Sequence, residues 1–150
     1  MRGGDILDSL KRPNPTAHPV DIGLRTEAAV VAYLLRRGIR VLQPCGFNHR
    51  YDLVLDLEGE FVRAQIKTGR LRRGAIEFKT CSIRSNTHKA MVRDYGDEID
   101  LFLVCCPAMD EIYAVPVTQA PKGMMRLRTM ATANSQAVGI RWASEFVLPA

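Results

Sequence analysis

Residues 99–106, Ile-Asp-Leu-Phe-Leu-Val-Cys-Cys, constrain this chain more than any other stretch. Leu101 to Cys106 are all apolar, whereas a strand buried on one face alone would alternate with polar residues. Such a strand needs cover on both sides, so the fold must place a layer against each face of a central sheet. The 150 residues suffice for one domain of this kind. At that size folding buries about 70% of the unfolded chain's surface, and no covalent staple is needed.

Weaker patterns arrange themselves around that strand. Residues 22–37 predict a helix, with Ala28, Ala29, Val31, Ala32 and Leu35 as its apolar positions, Arg36-Arg37 in its last turn and Gly38 as its stop. Ile39–Leu42 reads as a short strand. Tyr51–Leu57 alternates, Leu53, Leu55 and Leu57 against Asp52, Val54 and Asp56, and Glu58-Gly59 turns it back into Phe61–Thr68 as a hairpin. A basic loop, Gly69–Gly74, leads to a further strand at Ala75–Cys81, and Glu111–Val117 follows the apolar strand. Residues 1–20, broken by Pro13, Pro15 and Pro19, read as an irregular arm. Residues 22–117 form the core, and 118–150 a C-terminal elaboration in which Lys122–Met130 suits a strand or a helix and Trp142 and Phe146 pack inward. A helix, a run of strands and a mixed tail predict a mixed α/β (α+β) domain, a central mixed sheet flanked by helices.

Composition excludes several classes of function. No run approaches the ~20 apolar residues of a membrane span, and no apolar core follows Met1-Arg2-Gly3-Gly4-Asp5 to make a signal peptide. Cys45, Cys81, Cys105 and Cys106 contain no CxxC pair, and Cys105 and Cys106 point to opposite faces of their strand. Free thiols in a reducing cytoplasm are expected. His18, His49 and His88 are scattered. Met124, Met125 and Met130 read as apolar filler, and Tyr33 and Tyr113 as packing residues.

Net charge is +5, but residues 61–93 hold nine cations (Arg63, Lys67, Arg70, Arg72, Arg73, Lys79, Arg84, Lys89 and Arg93) against Glu77 alone. So one-sided a block points to nucleic acid.

The 51–68 hairpin carries the chemistry. Asp52 lies early on its first strand, and Gln65 and Lys67 late on its second. Two residues apart, Gln65 and Lys67 leave the same face. A carboxylate, an amide oxygen and an ammonium thus converge. Asp52, Gln65 and the Ile66 backbone carbonyl offer the hard oxygens that Mg²⁺ takes, with Glu27 reaching it through water. A cation there would polarise a phosphate and acidify a water, while Lys67 positions that water and offsets developing charge.

Gly23-Leu24-Arg25-Thr26-Glu27, Leu34-Leu35-Arg36-Arg37-Gly38, Tyr51-Asp52-Leu53-Val54, Gln65-Ile66-Lys67-Thr68-Gly69, Asp100-Leu101-Phe102-Leu103-Val104 and Ile112-Tyr113-Ala114-Val115-Pro116 together resemble the PD-(D/E)XK nuclease superfamily. Within it they resemble the group-I-intron homing endonucleases. The resemblance implies a restriction-endonuclease-like core, Mg²⁺ or in its place Mn²⁺ as cofactor with no organic cofactor, and Glu27, Asp52, Gln65 and Lys67 as the catalytic set. It implies double-stranded DNA as substrate and a homodimer or homotetramer as the working form. Gln65 departs from the usual acid and gives the site one negative charge fewer. Arg70, Arg72, Arg73, Lys79, Ser82, Arg84 and Asn86 are the candidate DNA contacts, with the strand Glu77–Arg84 suited to a major groove.

Each site residue has a plainer reading by itself: Lys67 as an edge-strand guard, Asp52 as a solvated strand residue, Gln65 as an ordinary polar one. Their order and spacing favour the nuclease. A Holliday-junction resolvase or repair nuclease of the same fold, and a DNA-binding module without catalysis, remain the alternatives.

Overall fold

His18 begins the long helix. Its Nδ1 accepts from the Val20 N–H at 3.3 Å, and Pro19, which has no N–H to leave unsatisfied, takes the first helical position. In the computed structural model of the chain this helix, α1, runs Pro19–Arg36, so it starts three residues before the expected Ile22. The described residues are 8, 10, 11, 18–86, 89–131 and 138–150, without the side chains of 84–86, 89 and 90. Most of the predicted N-terminal arm therefore lies outside the described residues, as does His88. Gly38, at φ +72°, ends α1, and Ile39 N–H returns to Leu34 O at 3.0 Å.

A five-stranded sheet carries the order β1-β2-β3-β8-β9. Its strands are β1 Arg40–Leu42, β2 Leu53–Leu57, β3 Glu60–Thr68, β8 Leu101–Cys106 and β9 Glu111–Pro116. All neighbours are antiparallel except β3 and β8, which run parallel with Gln65 opposite Phe102 and Lys67 opposite Val104. The β2–β3 turn places Glu58 at φ +56° and Gly59 at φ +94°, the two positive angles that a two-residue hairpin of this hand requires. Residues 145–148 cover the outer edge of β9: Phe146 O accepts from Ala114 N–H and Leu148 N–H reaches Ile112 O. That edge is thereby denied to another chain.

Central β8 is covered on both faces, as its composition demands. Leu103 and Cys105 join Val30 and Leu34 of α1, Leu53 and Leu55 of β2 and Ile66 of β3. Phe102, Val104 and Cys106 join Tyr113, Val115, Ile76, Phe78, Met125, Leu127 and Phe146. The second layer is a sheet rather than helices: β4 Arg70–Arg72, β5 Ala75–Lys79 and β10 Met124–Arg128, in the order β10-β5-β4. The mixed α+β class with a central mixed sheet is as expected, and among the described residues one long helix flanks that sheet, on one face.

Three further expectations change. The buried positions of α1 are Thr26, Val30 and Leu34, while Ala28, Ala29 and Leu35 are exposed. The helix is apolar nearly all round, so periodicity did not select its inner face. The basic loop 69–74 is largely strand β4, paired with β5 across an Arg73-Gly74 turn. The strand expected at Glu77–Arg84 is broken at Thr80, whose N–H and Oγ1 bond to Gly123 O and Pro121 O. Beyond Thr80 the chain leaves the second sheet and forms a two-stranded ribbon, β6 Cys81–Asn86 with β7 Lys89–Asp94. In the tail, Lys122–Met130 resolves as strand β10. Phe146 is buried, Trp142 is half-buried, and Met125 is core whereas Met124 and Met130 are exposed.

Gly69 sits where the two sheets touch. A Cβ there would lie 2.7 Å from Ile76 Cγ2 and 3.0 Å from Val104 Cγ1. Gly69→Ala is expected to cost about 1–3 kcal/mol through overpacking, read as a lower urea midpoint with unchanged slope. An unchanged midpoint would show that the layers can separate at no cost.

Candidate active site

Strand β3 outruns its neighbour. β2 begins at Leu53, opposite Ala64, so residues 65–68 are paired with β8 on one side and with no strand on the other. The Ile66 N–H on that open side would lack a partner. Asp52 Oδ2 accepts it at 2.8 Å and also accepts from Gln65 Nε2 at 2.6 Å. The Ile66 carbonyl, on the same side of its strand, faces the same opening and receives only a long 3.5 Å contact from Gln65 Nε2. Alternation then sets the side chains: Gln65 and Lys67 leave one face, and Ile66 and Thr68 the other, toward α1.

The predicted residues are thus brought together. Gln65 spends its amide nitrogen on Asp52, so its Oε1 remains available. Lys67 Nζ donates to Tyr95 Oη at 2.7 Å. Thr26, buried in α1, joins Thr68 hydroxyl to hydroxyl at 2.7 Å and so holds the helix against the end of β3. Glu27, the next residue, shares with Asp52 a cavity of about 390 Å³, lined also by Asn48, His49 and Tyr51.

Burial dominates the electrostatics. It raises the pKa of Asp52, and the Ile66 N–H, Lys67 and Gln65 oppose that rise. It raises Glu27 as well, with the Asp52 charge adding to the effect. It lowers Lys67, against the pull of Asp52. Two carboxyls that resist ionisation, beside a neutral amide and a carbonyl with only one long contact, form a donor set that a hard divalent cation would satisfy. Asp52, Gln65 and Ile66 could bind directly and Glu27 through water. No group of three or more His, Cys, Asp or Glu residues suited to a metal occurs among the described residues, and a cation at Asp52 would draw on neutral oxygens as well.

The candidate DNA contacts divide. A cleft of about 690 Å³ runs from Lys67 and Thr68 past Arg70, Arg72 and Lys79. Arg73 lies on a neighbouring groove with Arg72, Arg126 and Arg128. Register aligns Arg126 with Glu77 and Arg70, and Arg128 with Ala75 and Arg72, so Arg70, Arg72, Arg126 and Arg128 share one face of the second sheet with a single carboxylate, Glu77. Arg126 and Arg128 were missed in the sequence, although Met-Arg-Leu-Arg alternation at 125–128 carried the signal. Ser82 Oγ is engaged internally, accepting from Arg50 and donating to Arg93 O. The side chains of Arg84 and Asn86 lie outside the described part; their backbones lie two and four residues beyond Ser82 on β6, paired with Met91 and Lys89 of β7.

Asp52→Asn is expected to keep the fold, since an amide oxygen still accepts the Ile66 N–H. Mg²⁺ or Mn²⁺ is expected to raise the Tm of the parent, and Asp52→Asn to abolish that rise. In the parent that rise should fade as pH falls through a midpoint above the usual carboxylate range, because protons and cation compete for Asp52. Without cation the sign reverses: the folded state holds this proton more tightly than the unfolded state, so Asp52 costs stability as pH rises from its unfolded to its folded pKa. Melting curves across pH with and without EDTA check both, and a cation effect surviving in Asp52→Asn would remove Asp52 from the site.

The geometry is matched by kinship. No curated protein sequence matches the chain significantly. Among solved structures it is similar to a bacterial homing endonuclease, I-Ssp6803I, at 21% identity and a TM-score of 0.69, over 83% of this chain and 85% of that one. The family model described as PD-(D/E)XK endonuclease matches residues 17–149, which takes in the C-terminal tail. The chain belongs to the PD-(D/E)XK endonuclease family.

Proposed function

We propose that this DNA endonuclease is site-specific and of the homing type, cutting double-stranded DNA with Mg²⁺, for which Mn²⁺ can substitute. Nucleases of the family generally use divalent metal ions. The observation that carries the reading is the open end of β3, where Asp52, Gln65, the Ile66 carbonyl and Lys67 meet beside a cationic cleft. Similarity to a homing endonuclease across most of both chains supports it.

A divalent cation bound by Asp52, Gln65 and the Ile66 carbonyl would supply phosphate polarisation and a water of lowered pKa. The residues do the rest. Lys67 presents an ammonium to the attacked phosphate and can orient the water. Glu27, which lines the same cavity as Asp52, could hold a water there. Arg70 and Arg72 lead the backbone into the cleft, and Arg126 and Arg128 extend the phosphate track across the second sheet. The described residues of one chain form one such site, so cutting both strands takes at least two copies, as a homodimer or homotetramer. Such symmetry favours a roughly palindromic target. All four cysteines are free thiols, which suits a reducing cytoplasm.

Randomised linear duplex DNA, incubated with Mg²⁺ or with EDTA, tests the reading. Cation-dependent double-strand cuts at one long site, lost in Lys67→Ala, are expected. Cutting of four-way junctions in preference to linear duplex would favour the resolvase alternative, and DNA binding with no cutting of either would favour the binding module. Arg126→Ala with Arg128→Ala should leave the cut site unchanged and flatten the salt dependence of binding by about one unit of slope for each phosphate the arginines had neutralised. An unchanged slope would take these arginines off the DNA.

A further inference from the structure

Lys67 poses a problem that the catalytic set does not solve. A lysine ammonium on a flexible stem beside a carboxylate tends to close onto it. An ion pair with Asp52 would fill the place a cation needs. The described salt bridges include no Lys67–Asp52 pair. Instead Lys67 Nζ donates to Tyr95 Oη at 2.7 Å and stands 4.8 Å from that ring's centroid.

Tyr95 cannot follow a wandering lysine. It is 5% exposed and belongs to the core between the two sheets. Phe102 meets its ring edge-on at 5.4 Å. Burial pushes its pKa up to about 12, so it stays a neutral phenol whose oxygen can accept. Arg50 lies against the ring, its guanidinium carbon 4.3 Å from the centroid. Each nitrogen of the Arg50 fork donates: Nε to Glu98 Oε2 at 2.6 Å, Nη1 to Ser82 Oγ at 2.7 Å and Nη2 to Asp94 O at 2.6 Å. Ser82 and Asp94 stand at the root of the β6–β7 ribbon, and Glu98 also pairs with Arg93 of β7.

We infer that Tyr95 is a positioning residue for Lys67, holding its ammonium off Asp52 so that the carboxylate stays open to the cation, and that Arg50 clamps Tyr95 to the root of the ribbon. The ammonium of the site and the ribbon then share one anchor. The inference rests on the nuclease reading above for its consequence in catalysis, but the placement of Lys67 can be read without any substrate.

Tyr95→Phe keeps the ring and removes the acceptor. Arg50→Lys keeps the charge and loses the planar fork and its stacking. Tyr33→Phe, which deletes a hydroxyl bonded to Pro149 O far from the site, is the control. In the full chain with ¹³C-labelled lysine, the two Lys67 Hε protons should be inequivalent in the parent and in Tyr33→Phe, and averaged in both test variants. Mn²⁺ affinity by electron paramagnetic resonance titration should fall about tenfold, and single-turnover cleavage at saturating DNA by about 10- to 100-fold, the scale of a lost hydrogen bond to a charged group. DNA affinity of Tyr95→Phe in EDTA should stay near the parent's. Inequivalent Hε protons and parental Mn²⁺ affinity in both variants would overturn the inference. If Tyr95→Phe fails to fold, Arg50→Lys decides by the same signals. If Lys67→Ala still cuts DNA, the catalytic role of Lys67 falls, and if the parent cuts none, the nuclease reading falls; in either case the Hε and Mn²⁺ readouts still decide the placement of Lys67.

Discussion

A single hydrogen bond organises this protein: the Ile66 N–H held by the Asp52 carboxylate at 2.8 Å. β3 continues past the start of β2, and an unpaired backbone amide inside a sheet is expensive. Asp52 does what a neighbouring strand would have done. In doing so it is drawn to the end of the hairpin, partly buried, and set beside Gln65. The site is therefore a defect in the ladder that a side chain repairs. Its carboxyl is desolvated by the same placement that makes it useful to a cation.

The two covers of the central sheet serve different ends of that site. The α1 face is apolar but for Thr26, and the Thr26–Thr68 contact holds Glu27 at the rim of the Asp52 cavity. The opposite face is roofed by a second sheet whose inner side chains, Ile76, Phe78, Met125 and Leu127, seal the core. Its outer side carries Arg70, Arg72, Arg126 and Arg128. Alternation along each strand thus builds hydrophobic core and cationic track at once. Gly69 lets the chain pass from one sheet to the other without forcing them apart.

Where local pattern and environment coincide, the fold was legible. The all-apolar run at 101–106 is central β8, and the Glu58-Gly59 turn pairs β2 with β3 in the expected register, so Asp52, Gln65 and Lys67 emerge on one face. Where several arrangements satisfy the same pattern, it was not. The apolar surface of α1 allows more than one inner face, and contact with Thr68 selects Thr26, Val30 and Leu34. Nothing local marks the break at Thr80, which is made by carbonyls of Pro121 and Gly123 some forty residues on. Arg50 and Tyr95 carry no motif; they meet Lys67 only because β7 returns to the open end of β3.

What the sequence determined by itself is therefore what short-range physics dictates: alternation that fixes a side chain's face, a turn that fixes a register, and a glycine that stops a helix. These were enough to place an acid, an amide and a lysine together; the resemblance of those stretches to a known family is what implied a nuclease. Only the tertiary structure decided which cations stand beside them, what covers each face, and what holds Lys67. Those outcomes depend on contacts between segments far apart in the chain, whose partners are chosen by packing and by the need to satisfy buried polar groups.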